Sequence, residues 1–534
     1  MINSKTALVV CAPWTVASPH IGVGYLASYL RQKACQVRTF DLNIEFYNGL
    51  NERYKRLWNF DNKHFWTVKS CFEKIIKDNQ ELVDELIKKV FEYNPGIVGL
   101  SVTTSSRLFA IEIAKTIKRI NKNILIVVGG LGCFTPWERR FFPERYVDYF
   151  VIGEGEAALY ELVDKVASGK PLEGIPGLMR NNPDGEASFI PRPFINDLDT
   201  VNFPTYEDLN LAKYVERVLP MIMSRGCINK CAFCHEHVYW GSVFRAKSAE
   251  RVFEEIRYHV EVNKIRNFIF NDFLINGNVK LLESFCDMII SSKLSISWVC
   301  NALVRAQMNE ELFTKMHRAG CSAIMFGIES GSNKIIKKMN KNFVIEEAER
   351  VLSVSKNSGI KNGVHIMVGF PGEEESDFFK TVSFLQRARP SIDFISNVND
   401  VHAVCNSDLV VNKEKYNIVM PSSKSYEWFT QEGLFPNVRQ KRVLDMCIEV
   451  ERLGFPKPQN NLYENKDQLF DIWELKRFIG EDINRFLFLA SRFWQYFKKN
   501  GFSRVLFNKI RDYLRFIYWL YNKTNYNFNK RCQE

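Results

Sequence analysis

The chain lacks any uninterrupted apolar run of the roughly eighteen residues that a membrane-spanning helix needs, which argues against a span of that kind. No secretory leader is expected either: Met1-Ile2-Asn3-Ser4-Lys5-Thr6 leads directly into an apolar run of strand length. A disulfide framework is missing as well. The cysteines number 13, an odd count, and outside one cluster they are scattered, a pattern that fits a reducing cytosol. The net charge is +11, yet no recognised nucleic-acid motif accompanies it, and about +7 of the excess falls within the last 64 residues. What remains is an ordinary globular composition, 46% apolar and 25% charged. At 534 residues the chain is too long for one core, so two to four domains are expected.

The one cysteine cluster organises the rest. Ser224-Arg225-Gly226-Cys227-Ile228-Asn229-Lys230-Cys231-Ala232-Phe233-Cys234 follows the apolar run Val218-Leu219-Pro220-Met221-Ile222-Met223. Thiolates suit iron–sulfur clusters and zinc. A closed structural zinc site has four ligands, and a ferredoxin-type cluster usually has four cysteines, whereas Cys227, Cys231 and Cys234 supply three. Three thiolates leave one iron of a 4Fe–4S cluster open to another ligand. His235 and His237 come immediately after and offer the competing completion, a zinc site.

Ser-Arg-Gly before the first cysteine and Phe233 before the last make this run resemble the cluster motif of the radical S-adenosylmethionine (SAM) superfamily. The resemblance implies that the three cysteines hold the cluster and that the amine and carboxylate of SAM chelate the open iron. From Leu219 the chain alternates short apolar runs with helical ones, ending at a sixth strand, Phe394 to Val398. A partial (β/α)6 barrel over residues 216–401 is expected, with chemistry at the carboxyl ends of its strands. Those ends include Asn271-Asp272-Phe273, Gly327-Ile328-Glu329-Ser330-Gly331 and Gly369-Phe370-Pro371-Gly372-Glu373. The resemblance places Phe233, Asp272, Glu329 and Ser330 at SAM, with Asp272 near its amine and Glu329 near its ribose. The alternative for both acids is a helix N-cap or a satisfied surface carboxylate. Arg245 and Lys247-Ser248 resemble the family's basic run before the first barrel helix, and Ser248 reads as that helix's cap.

Residues 1–167 alternate too: strand 6–11, a loop with Pro13, Pro19, Gly22 and Gly24, helix 25–33, strand 36–41, then strands at 97–102, 124–128 and 149–152 with helices between. This is the pattern of a doubly wound, Rossmann-like parallel sheet. Charged, aromatic residues 45–92 interrupt it and read as a helical insertion that packs on the domain or lids it. Ligands on such sheets sit at the carboxyl strand ends. Here these read Thr103-Thr104-Ser105, Gly129-Gly130 and Gly153-Glu154-Gly155-Glu156. Small residues at strand ends are also ordinary turn chemistry. Together with the Pro/Gly loop into Tyr25-Leu26-Ala27-Ser28-Tyr29-Leu30, however, they resemble the cobalamin-binding domain that precedes the barrel in B12-dependent radical SAM enzymes. The Asp-x-His-x-x-Gly motif that ligates cobalt in other B12 proteins is absent, and the surroundings of His20 do not match it. The resemblance therefore implies cobalamin bound with its lower base detached.

Residues 168–215, rich in Gly, Pro, Asn and Asp, read as a linker in which Leu178-Met179-Arg180 is at most a fragment of strand. After Val401 the resemblance fades, and Cys405 reads as a buried thiol. The rest, 402–534, reads as a mainly α-helical region. Two aromatic stripes (Phe486, Leu489, Ala490, Phe493, Phe497, then Leu506, Ile510, Leu514, Ile517, Tyr521) lie beside Arg504, Arg511, Arg515 and Lys523. That pattern suits either packing on the barrel or peripheral contact with a membrane surface.

The expected function is a radical SAM enzyme, most readily a B12-dependent methyltransferase acting on an unactivated carbon. A cyclase or rearrangement enzyme is the alternative, and a cobalamin sensor without catalysis is the alternative of another class. Expected partners are a small-molecule or lipid-like substrate and an electron donor such as flavodoxin or ferredoxin, with no nucleic acid. Expected localisation is cytoplasmic, with possible contact at the membrane periphery.

Overall fold

The computed structural model describes residues 3–456 apart from 60, 61, 63, 235, 242, 405 and 421–427. Of the features expected from sequence, the aromatic stripes of residues 486–521, His235 and Cys405 lie outside the described residues, as does the side chain of His237.

The first sheet has the order β2-β1-β3-β4-β5-β6, with β1 Thr6–Val10, β2 Val37–Asp41, β3 Ile97–Ser101, β4 Leu125–Gly129, β5 Tyr149–Val151 and β6 Leu178–Arg180. Strands β1 to β5 pair parallel, and β6 adds an antiparallel edge to β5. All five residues of β1 are buried, as a central strand covered on both faces requires. On one face Val23, Ala27 and Leu30 of helix Ile21–Gln32 and Ala158, Leu162 and Val163 of helix Gly155–Ala167 cover Leu8, Val10 and Val127. The interruption at 45–92 forms the other face. Phe46, Phe65, Trp66, Phe72 and Ile75 pack with Phe109, Ile113, Val98 and Ile126 in one core, so it is a helical layer over the sheet and no lid. β6 falls inside the expected linker; three residues carry too little alternation to announce a strand, and its pairing with β5 is what makes it one.

The second sheet runs β14-β13-β12-β11-β10-β7. Its members are β7 Leu219–Met221, β10 Asn267–Phe270, β11 Ser297–Ala302, β12 Cys321–Glu329, β13 Lys361–Val368 and β14 Phe394–Asp400, and all neighbours pair parallel. Helices outside this open barrel bury Val252, Ile256, Leu282, Phe285, Phe313, Val351 and Leu385 against the strands. Between β7 and β10 a short antiparallel ribbon, β8 Ser224–Arg225 with β9 Arg245–Ala246, brackets the cysteine run.

Past Val401 the described chain is less helical than expected. It carries a two-stranded ribbon, Ile418–Val419 with Phe429–Thr430, before helix Pro436–Arg452. That helix packs on β13 and β14, placing Met446, Cys447 and Val450 in the barrel core. Trp428, Leu409, Tyr416 and Ile418 form a smaller core with Ala232 of the cysteine run.

Candidate functional site

The cysteine run is held from both ends. Asp272, at the end of β10, accepts from the Met223 amide at 3.0 Å and from both the amide and the hydroxyl of Ser224 at 2.5 Å. Gly226 follows at φ +88, where an added Cβ would stand 2.0 Å from the Val243 carbonyl oxygen, so only glycine lets the chain pass. Further on, the Ala232 amide donates to Met339 O at 2.9 Å, Leu409 N donates to Ala232 O at 3.0 Å, and Asn340 Nδ2 donates to Lys230 O at 2.7 Å. The loop is thus pinned to β10, to the 339–342 turn and to the C-terminal lobe.

Its thiols fit a cluster. Burial pushes Cys227 up to about 11 and Cys234 up to about 12, and also raises Cys231. The thiolate form needs added positive charge there, which iron supplies. Cys227 and Cys231 raise each other's neighbour Cys234 by their charge, so the three share one locality. Among the described residues no three His, Cys, Asp or Glu side chains converge on one ion. A cubane does not require that, because each thiolate binds a different iron.

One residue here escaped the sequence reading. Lys341, 7% exposed, donates to Gly327 O at 2.7 Å and lies 3.4 Å from Glu329 Oε1 and 5.9 Å from the centre of the Phe233 ring. Its charge favours the thiolates of Cys227 and Cys231. A lone lysine in Asn340-Lys341-Asn342 has no motif; only the turn that brings it under the loop gives it away.

Glu329 ends β12 at φ +70, in the left-handed region that a non-glycine residue enters at a cost of about 1 kcal/mol, and the β12/β13 register slips between Gly327 and Glu329. The result is a carboxylate beside Lys341 whose charge reaches Cys231. Phe233, Glu329 and the cysteines are therefore brought together. Asp272 adjoins them with both oxygens engaged by the loop's own backbone, and burial raises it to about 6. Ser330 is placed elsewhere. Fully buried, its hydroxyl meets Thr381 Oγ1 at 3.3 Å and accepts from Ser332 N at 3.2 Å, because the residue after the left-handed turn faces helix Glu375–Arg387. Ser248 caps helix Ala249–Val262, accepting from Arg251 N at 3.1 Å.

At the first sheet, β3, β4 and β5 end side by side, Ser101 opposite Gly129 and Gly129 opposite Val151. Thr104, Gly130 and Gly153 stand exposed at this edge, with Ser105 half-buried, while Thr103 bonds back to Ser106, whose Oγ accepts from its amide at 2.8 Å. Gly153 has φ +91, and a Cβ there would meet nothing within 4 Å, so open space adjoins backbone that can be approached closely. Gly130 and Gly132 sit so tightly on Val102 and Thr103 that a Cβ would come within 2.7 and 2.5 Å of them. Such a glycine-lined edge fits a large flat cofactor. His20 is not free to ligate a metal: Nδ1 accepts from Val23 N at 3.2 Å, so Nε2 carries the proton and faces Ser101 Oγ at 3.1 Å. Burial lowers its pKa to about 4.

Glu154 and Glu156 depart from the expectation of direct cofactor contact. Both are buried and turned into the boundary between the sheets. Glu154 accepts from Arg225 at 2.6 Å, from Arg245 at 2.9 Å and from Ile195 N at 2.6 Å, and Glu156 accepts from Arg225 at 2.6 Å. The two arginines lie opposite each other on β8 and β9, a pairing that spacing in sequence does not reveal. Nearby, Phe134 from the loop after β4 meets Tyr239 edge-on at 4.4 Å, and Lys247 donates to Tyr25 OH at 2.7 Å while pairing with buried Glu255. The carboxyl edge of the first sheet thus abuts the cysteine loop of the second.

Comparison with known proteins agrees with this arrangement. The family model for the radical SAM superfamily matches residues 221–385, and that for the B12 binding domain matches 67–163. An uncharacterized methyltransferase of Pyrococcus horikoshii is 30% identical over 371 residues, covering 67% of this chain and 80% of that protein. The anaerobic magnesium-protoporphyrin IX monomethyl ester cyclase of Rubrivivax gelatinosus is 25% identical over 363 residues, 64% of each chain. Among structures, the cobalamin-dependent S-adenosylmethionine radical enzyme OxsB with aqua-cobalamin bound superposes with a TM-score of 0.65 at 17% identity, covering 96% of this chain and 75% of that one. TsrM from Kitasatospora setae, a radical S-adenosylmethionine methyltransferase with cobalamin and a 4Fe–4S cluster bound, gives 0.62 at 16% identity, covering 85% of this chain and 91% of that one.

Proposed function

The chain belongs to the cobalamin-binding radical SAM enzymes, and from that premise we propose that it transfers a methyl group to an unactivated carbon of a small-molecule or lipid-like substrate. The observation that carries the reading is the meeting of the two sheet edges: Glu154, next to the open Gly153, binds Arg225, two residues before Cys227. When bound, the reduced cluster and SAM supply the radical that takes a hydrogen atom from substrate, and methylcobalamin supplies the methyl group.

The chain's own residues hold and orient. Cys227, Cys231 and Cys234 would hold the cluster. Lys341 offsets the negative charge that the thiolates gather, and Glu329 faces the same space as an acceptor for hydroxyl or ammonium donors. Asp272 keeps the loop's entry fixed through three hydrogen bonds, a positioning role that leaves one of its about four lone-pair sites for a further donor. Thr104, Gly130 and Gly153 form the edge that would cradle cobalamin, with His20 tied up by its own helix. An electron donor such as flavodoxin or ferredoxin is the partner this chemistry requires. Peripheral membrane contact is proposed from the composition of residues 471–534 alone.

The cyclase-named relatives favour a second reading, ring formation without methyl transfer. One experiment addresses both. The chain is reconstituted anaerobically with iron, sulfide and cobalamin and given trideuteromethyl-SAM, reductant and a metabolite extract. A product three deuterons heavier is expected, together with 5′-deoxyadenosine. 5′-Deoxyadenosine with products that never carry the label would move the assignment to cyclisation or rearrangement. Neither 5′-deoxyadenosine nor methyl loss from SAM would leave the sensor reading.

A further inference from the structure

At the boundary between the two halves, four charged side chains form one connected set. Arg225 reaches Glu154 through one terminal nitrogen and Glu156 through the other, each at 2.6 Å. Arg245 holds both oxygens of Glu154, at 2.9 and 3.0 Å. All four residues are more than nine-tenths buried. The set is neutral as two cations and two anions, so moving the sheets apart strands buried charge on both sides.

Position matters more than strength. Glu154 is the residue after Gly153, on the edge that fits cobalamin, and it stands at the N-cap of helix Gly155–Ala167 without capping it. Its side chain is committed to the boundary. Arg225 precedes Gly226, whose path is fixed by Val243, and Cys227 comes next. Gly153 is therefore connected to Cys227 through its neighbour Glu154, the ion pair to Arg225 and the tightly packed Gly226.

We propose that Arg225 and Arg245, with Glu154 and Glu156, are positioning residues that assemble the cobalamin edge and the cluster loop as one unit, so that filling either cofactor site raises the affinity of the other. The inference rests on the two-cofactor reading above. Coupling of this kind is reciprocal and commonly amounts to about 5- to 150-fold in affinity.

The test uses the full chain in two states, with the cluster reconstituted and after its removal by chelator. Hydroxocobalamin is titrated into each and followed by visible absorption. Binding is expected to be at least five-fold tighter with the cluster present, and cobalamin should slow chelation of the iron. Arg225→Lys keeps the charge but loses the fork that spans both glutamates, and should bring the ratio toward one with the cluster still assembling. Equal wild-type affinities in the two states overturn the proposal whatever the variant does, and so does an undiminished ratio in a folded Arg225→Lys protein. No cobalamin binding in either state would overturn the two-cofactor reading itself, a different outcome from binding without coupling.

Discussion

Lys341 shows how much one side chain can matter where no motif announces it. Its ammonium stands about equally far from the Phe233 and Phe343 rings, 5.9 and 6.0 Å from their centres, and reaches Gly327 O and Glu329, beside thiols that burial holds protonated. Lys341→Met keeps the stem and removes the charge, so iron content per chain should fall and 5′-deoxyadenosine formation should drop at least ten-fold. Lys341→Arg should retain most of the iron. Full iron content and wild-type turnover in the methionine variant would show that the charge is unnecessary. His20 offers a pH test. Its folded pKa of about 4 lies below the ordinary 6.5, so the unfolded chain takes the proton first as pH falls. Stability is complete above about 6.5 and is lost as pH drops toward 4. His20→Asn can still cap helix Ile21–Gln32 but cannot titrate, so the fall in thermal midpoint between pH 7 and pH 5 should shrink by the equivalent of about 2 kcal/mol. An unchanged pH slope would contradict this.

Individual elements divide into those that carry the site and those that hold the carriers. β12 does both. Its middle buries Ile324 and Phe326, and its end breaks register to present Glu329. Helix Pro436–Arg452 only supports. It packs on β13 and the edge strand β14 and adds Met446, Cys447 and Val450 to the apolar core they share. Met446 and Val450 of this helix are both fully buried. Met446→Ala should cost about 2–4 kcal/mol, read as a lowered denaturant midpoint, with the first sheet's unfolding less affected. A loss under about 0.5 kcal/mol would mean that the helix is not integral to the barrel.

For the whole molecule, the carboxyl ends of two parallel sheets face a common boundary, and the apolar and ionic contacts there are what make two folds one machine. Among the described residues no helix is long and apolar enough to cross a membrane. Surface contact through the charged tail is a separate matter. Interfacial binding combines apolar burial with attraction to anionic headgroups, so salt should weaken it. Co-sedimentation with anionic liposomes is expected at low salt, diminished at high salt and lost on truncation near Asp471. Equal recovery in the supernatant with anionic and neutral vesicles would reject membrane contact.

Sequence alone determined both folds and marked the three thiols proposed to hold the cluster, for a physical reason. Alternation of strand-length and helix-length apolar runs is a local property, and three thiolates in eight residues need no partner elsewhere to declare their chemistry. The same local logic marked the glycines of the first sheet's edge and the cap at Ser248. Tertiary structure decided everything that depends on which loops meet. It turned Glu154 and Glu156 from the cofactor edge into the boundary, because two arginines on a ribbon some 70 to 90 residues away needed counter-charges once buried. It folded Ser330 against Thr381 and made a strand of Leu178–Arg180 by giving it a neighbour. It carried Lys341 from a turn more than a hundred residues downstream to the thiols, a proximity that no spacing rule encodes because it is set by how helices and strands pack, not by the order of residues along the chain.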